Sequence, residues 1–232
     1  MHNNNRDIES RERPRVLVVD DASQTRETFH LAYPGVRVVG SYPSVDLLIQ
    51  DSRASDLVVL DLLLSTQLEQ RGVLQGPAAI AALATRGYRV CMYTDERRPL
   101  VLARCLASGA NGFARKADSL STNETTFCAV ASGEVVISQS LVGFAELLNR
   151  RGKLPDLTAK QVEVLSARAR GEQWESIAER LHIVKKTAEG HLNAVSTKMA
   201  WFLRDAMLDA YASPGDIERA LGLSPGDLMG PM

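Results

Sequence analysis

Between Val16 and Ser132 the chain alternates short β-branched runs with helix-like stretches, and this alternation limits the possible folds more than any other feature. Strands are expected at 16–19, 36–40, 57–62, 90–94 and 112–115. Between and after them, helical spacing of apolar residues marks 24–32, 44–51, 77–85, 99–107 and 121–131. Parallel strands need crossover connections, and right-handed crossovers put helices on both faces. The expectation is an α/β unit, a five-stranded doubly wound parallel sheet, with 2-1-3-4-5 as one of the two common strand orders.

A different pattern follows the Gly- and Pro-containing stretch at 149–156. No strand-like run appears beyond it, and helices are expected at 158–170, 174–181, 185–199 and 203–211. A chain of 232 residues has room for two such units. The division expected is a disordered polar lead at 1–14, the α/β unit at 15–133, a partly helical linker at 134–156, an all-α four-helix unit at 157–211 and an extension at 212–232.

Composition excludes several classes. Hydrophobic residues at 45% and charged residues at 24% are those of a globular protein. Cys91, Cys105 and Cys128 are odd in number and lack the close spacing of a zinc site, so reduced core thiols are expected. With no 18-residue apolar stretch and no leader-like N-terminus, a cytoplasmic protein that does not enter the membrane is expected. Charge alone points to no partner, since residues 153–232 carry 10 Lys+Arg against 11 Asp+Glu.

Chemistry gathers where strands end. Ligands of open parallel sheets bind beyond the carboxyl ends of strands, at the point where strand order reverses. Asp20 and Asp21 close the first strand and Asp61 nearly closes the third, which would be its neighbour. Three converging carboxylates call for a cation, and an all-oxygen donor set facing water suits Mg2+ better than a soft metal. Thr94 ends the fourth strand and Lys116 follows the fifth. A nucleophilic carboxylate, a divalent ion, a hydroxyl and an ammonium are the parts required to accept a phosphoryl group.

With these residues in place, the first half resembles the receiver domain of bacterial two-component response regulators, a flavodoxin-like fold. The resemblance implies that Asp61 is the phosphoacceptor, that Asp20, Asp21 and Asp61 bind Mg2+, that Thr94 and Lys116 assist, and that Phe113 is an aromatic switch. An aspartyl phosphatase, the nearest enzymatic alternative, spaces its two aspartates two residues apart on the first strand, and "VVDDAS" lacks that spacing. The chain departs from the receiver pattern in four places. Ser65 stands where proline is usual, the following loop "TQLEQRGVLQ" is longer than usual, Ala117 replaces a frequent cis-proline after the lysine, and Asp95 fills a normally small position after the threonine. Asp95 is expected either to slow phosphorylation by its charge or to cap the next helix.

In the second half, "GEQWESIAERLHIVKKTAEGHLNAVSTKM" has the form of a helix-turn-helix. Ala188, Leu192, Val195 and Met199 form a buried stripe, leaving Lys186, Glu189, Gly190, Asn193 and Thr197 on the opposite face. This segment resembles the output domain of NarL/FixJ regulators, with the LuxR-type helix-turn-helix, through Leu157, Thr158, Val164, Leu165, Gly171, Ile177, Ala178, Leu181, Ile183, Thr187, His191 and Lys198. The resemblance implies DNA binding through Lys185, Lys186, Glu189, Gly190, Asn193 and Lys198. It also implies a sensor histidine kinase and a second copy of the chain as partners, and no enzymatic role. Val184 replaces a capping serine, and Glu189 replaces a lysine that would meet phosphate or base. Two alternatives stay open: an orphan regulator controlled by a ligand or by oligomerisation, and a protein-binding output with a degenerate DNA-reading helix.

Overall fold

The computed structural model describes residues 13–64, 74–154 and 156–206, together with 215, 218, 219, 221 and 222. Ser65 and most of the lengthened loop lie outside these residues, as do nearly all of the expected lead and extension.

The first unit follows the alternation. Strands β1 (Arg15–Val19), β2 (Arg37–Tyr42), β3 (Leu57–Leu60), β4 (Val90–Tyr93) and β5 (Gly112–Ala114) interleave with α1 (Ser23–Ala32), α2 (Val45–Asp51), α3 (Gly76–Ala84), α4 (Pro99–Ala107) and α5 (Leu120–Ala131). All strand pairs are parallel, in the order β2-β1-β3-β4-β5. The doubly wound expectation therefore holds. Central strands are buried on both faces, which is why β1 and β3 read as unbroken apolar runs. Two clusters fill those faces, one around Leu17, Leu60, Ile80 and Leu106, the other around Val18, Phe29, Tyr33 and Phe127. Each such side chain contributes roughly 1.5–3 kcal/mol when withdrawn from water. Cys91 and Cys105 are buried free thiols and Cys128 is a half-buried one.

The remaining helices are α6 (Gln139–Arg150), α7 (Ala159–Ala169), α8 (Trp174–Arg180) and α9 (Lys185–Asp205). A capping box starts α7, with Thr158 Oγ1 accepting from the Gln161 amide and Gln161 Oε1 accepting from the Thr158 amide. Gly171, at φ +81°, lets the chain turn out of α7. Where a break after Met199 was expected, α9 runs unbroken to Asp205, because Ala200 and Leu203 continue the same buried stripe. Residues 207–211, the rest of the expected fourth helix, lie outside the described residues.

Helix α6 was legible in sequence only as part of a linker. In the structure it is amphipathic, burying Leu141, Phe144, Ala145 and Leu148 against α4, α7 and α9. Its buried Glu146 accepts from Arg150 Nε and Ser166 Oγ, both at 2.9 Å. Through α4 and α6, the core of the sheet continues without interruption to Leu165, Val195, Met199 and Leu203. No helix among the described residues is long and apolar enough to cross a membrane.

Sheet register is tied at the amino ends of the strands by Asp56. Its carboxylate accepts from the Arg15 amide at 2.7 Å and from the Arg15 guanidinium at 3.0 and 3.3 Å, joining β3 to β1. These bonds, the guanidinium first, hold the Asp56 carboxyl below the usual aspartate range. Its contribution is then fully present above the ordinary carboxylate pKa and fades as pH falls through the depressed folded-state value. We expect Asp56→Ala to cost about 1 kcal/mol at neutral pH, a figure already discounted for solvent exposure. Urea unfolding repeated near pH 3, roughly below the unfolded pKa, should show that difference shrinking.

Candidate functional site

The acidic site is assembled by strand register. The Asp61 amide bonds to the Val19 carbonyl at 2.9 Å and the Asp20 amide to the Tyr42 carbonyl at 3.2 Å, so both aspartates continue the sheet by one residue. Asp20, Asp21 and Asp61 each offer a carboxylate oxygen, all within 4.8 Å of one another. Asp20 is 1% exposed, Asp61 9%, and Asp21 faces solvent. From β5, Lys116 reaches across so that Nζ lies 3.0 Å from Asp20 Oδ2 and 2.8 Å from Asp61 Oδ2.

Burial pushes the Asp61 carboxyl above the usual aspartate range, opposed by Lys116 and reinforced by the like charge of Asp20. Burial works against the Lys116 ammonium too, but the two carboxylates outweigh it and its pKa ends up raised. The pair is thus held in its charged form from the lysine side, at a cost on the aspartate side. An additional cation would relieve that cost. Because the donor set is all oxygen and one member is open to water, these residues fit a hard divalent ion that keeps part of its hydration shell.

Arg26 completes the loop after β1. Its guanidinium donates to the carbonyls of Asp20 at 2.7 Å and Asp21 at 2.8 Å, fixing the backbone that carries the acid pair. Asp20 Oδ1 also accepts from the Ala22 amide at 2.9 Å. Nothing in the sequence singled out Arg26, since an arginine early in a helix is ordinary.

Thr94 is buried beyond β4, its amide bonded to the Ala114 carbonyl and its Oγ1 accepting from the Glu96 amide at 3.2 Å. Phe113 is buried within β5, and its amide donates to the Val136 carbonyl at 3.0 Å. The Val136 amide donates back to the Asn111 carbonyl, so Val136 pairs with the outer edge of β5.

That edge segment meets α9. Asn193 donates from Nδ2 to Glu134 Oε2 at 2.9 Å and accepts from the Val135 amide at 3.2 Å, while Lys186 Nζ lies 3.8 Å from Glu134 Oε1. Asn193 therefore faces the α/β unit in this arrangement. Glu189 lines the cleft beside it, and Gly190 is exposed. Lys185 is paired with Glu175 at 2.8 Å, and Lys198 donates to the Asp156 carbonyl and to Gln161 Oε1. The site residues expected on α9 are thus not gathered on one open surface. Glu134, on which two of them converge, carried no signal in the sequence. Val184 begins α9 without a side-chain cap, as its identity requires.

Residues 155–201 match the family described as bacterial regulatory proteins, luxR family. This segment is similar to the members of that family. The LuxR-type match covers α7, α8 and most of α9. Among full-length relatives, the chain is 28% identical over 195 residues to the probable transcriptional regulatory protein NarL of Mycobacterium tuberculosis, covering 81% of this chain and 88% of the relative. It is 28% identical over 127 residues to the transcriptional regulatory protein LnrK of Bacillus subtilis, covering 48% of this chain and 57% of that relative. A solved structure of the Salmonella typhimurium RcsB response regulator is similar with a TM-score of 0.49 and 19% identity, covering 84% of this chain and 98% of that one.

The contact between Asn193 and residues 134–135 can be probed directly. Asn193→Ala should free the Val135 amide, raising its hydrogen-exchange rate about fivefold or more, the equivalent of one modest hydrogen bond. Amides of β1 should be unchanged.

Proposed function

We propose that the chain is a DNA-binding transcriptional response regulator, with a receiver unit at 15–133 and a LuxR-type helix-turn-helix unit at 157–211, controlled by phosphorylation of Asp61. The single observation that carries the receiver half is the Lys116 ammonium lying within 3.0 Å of both Asp20 and Asp61. The LuxR-family match of 155–201 supports the output half.

On this reading an Asp61 oxygen attacks phosphorus, its bond to the donor's leaving group breaks, and an acyl phosphate forms on the carboxylate. Asp20, Asp21 and Asp61 would hold Mg2+, which neutralises charge on the phosphoryl oxygens when bound. Lys116 exchanges its contact with the Asp61 carboxylate for one with a phosphoryl oxygen. Thr94, one residue beyond β4, supplies a hydroxyl donor, and Phe113 sits where a shift of β5 would reach Val136 and, through Val135, Asn193. In the arrangement described, Asn193 and Lys186 are engaged by Glu134, so reading of a major groove by α9 requires these contacts to be given up. A sensor histidine kinase would supply the phosphoryl group, and a second copy of the chain would double the number of phosphate contacts.

Glu189 favours a second reading, in which the helical unit binds a protein instead of DNA. A carboxylate on the groove-facing side repels phosphates, and near-neutral charge over 153–232 adds little attraction.

Incubation with acetyl phosphate and Mg2+ should add the mass of one phosphoryl group to the intact protein, and Asp61→Asn should add none. Omitting Mg2+, or replacing Asp20 or Asp21 by Ala, should slow labelling at least about tenfold, a change of roughly 1.4 kcal/mol in the barrier. For the output, genomic fragments captured by the beryllofluoride-treated protein should share one half-site. Failure to enrich any sequence, treated or untreated, selects the protein-binding reading.

A further inference from the structure

Asp95 and Ala117 are two of the chain's departures from the receiver pattern, and the structure joins them. The Ala117 amide donates to Asp95 Oδ1 at 3.0 Å. This bond lies just past the end of the β4–β5 ladder, whose last backbone rung is the Thr94 amide on the Ala114 carbonyl at 3.0 Å. Lys116 stands between those two ties.

The lysine backbone is held on its other flank as well. Asn123, 1% exposed, donates from Nδ2 to the Arg115 carbonyl at 2.9 Å. Peptide groups on both sides of Lys116 are therefore anchored, one by α5 and one by the loop after β4. A lysine stem has four rotatable carbons, so the reach of Nζ to Asp20 and Asp61 depends on where its Cα is fixed. Of the two anchors, Asp95 is the one the sequence supplies from outside the β5–α5 segment.

Capping of the next helix, one of the two expectations for Asp95, does not describe this arrangement. Helix α4 begins after Arg98 with no side-chain cap, and Glu96, not Asp95, accepts from the amides of Arg97 and Arg98. The Asp95 carboxylate takes up an amide donor that a proline at position 117 would not offer.

We propose that Asp95 is a positioning residue for Lys116, acting through its acceptor oxygen and not through its charge. The inference rests on the phosphoacceptor reading for its kinetic consequence. It concerns the Lys116 loop itself, so it is open to a second readout.

Two variants separate the oxygen from the charge. Asp95→Asn retains an acceptor at Oδ1 and removes the charge, whereas Asp95→Ala removes both. With acetyl phosphate and Mg2+, Asp95→Ala is expected to label about three- to tenfold more slowly than the parent, and Asp95→Asn within about twofold of it, as befits one solvent-exposed hydrogen bond. In parallel, the 15Nζ NMR signal of Lys116 should shift or broaden in Asp95→Ala and stay in place in Asp95→Asn. Labelling of Asp95→Ala at or above the parent rate, or equal losses in both variants, would overturn the proposal. If the parent takes up no phosphoryl group, the phosphoacceptor reading falls instead, and the Lys116 signal alone decides: an unchanged signal in Asp95→Ala rejects the positioning role, and a shift confined to that variant upholds it.

Discussion

One ammonium group holds the site together. Lys116 Nζ contacts Asp20 and Asp61, which come from different strands and are buried side by side. Two ionised carboxylates this close and this far from water would repel strongly without a cation between them. The sheet brings them together, since β1 and β3 are hydrogen-bonded neighbours, and β5 delivers the compensating charge from two strands away. The backbone around each charged group is in turn tied down, by Arg26 beneath the acid pair, by Asn123 before the lysine and by Asp95 after it.

From that rim the structure extends in two ways to the helical half. The first is apolar: α4 and α6 continue the sheet's core to α9, so the two halves share a packed interior. The second is polar and much smaller: Val136 pairs with β5, and the residues just before it, Glu134 and Val135, bond to Asn193 and Lys186. Hydrophobic packing resists separation in proportion to the area buried, whereas a few hydrogen bonds can be exchanged for water at low net cost. A change at β5 therefore has a soft route to α9 beside a stiff one.

Much of this was legible in the sequence because it followed from period and strand position. Each strand and helix of the α/β unit appears within a few residues of its expected bounds, since alternation and apolar spacing are local signals. Convergence of Asp20, Asp21, Asp61 and Lys116 was also legible, because in a parallel sheet all carboxyl ends share one edge. What escaped depended on contacts between distant segments. Helix α6 read as linker although its apolar residues have helical spacing, because the second unit was taken to begin only after 149–156. Orientation of α9 could not be read at all, since the same helix face suits a DNA groove or a neighbouring loop, and the choice rests on Glu134 and Val135, nearly sixty positions away.

Pairing Val136 with β5 also alters what the sheet can do in company. A terminal strand normally presents a row of free amides and carbonyls, a ready template for another chain to join. Here the Phe113 amide and the Asn111 carbonyl are already paired with Val136, so part of that flank is covered from within. At the far margin of the sheet stands β2, where Arg37 is exposed. The segment that links the two halves thereby also covers part of an edge on which another strand could pair.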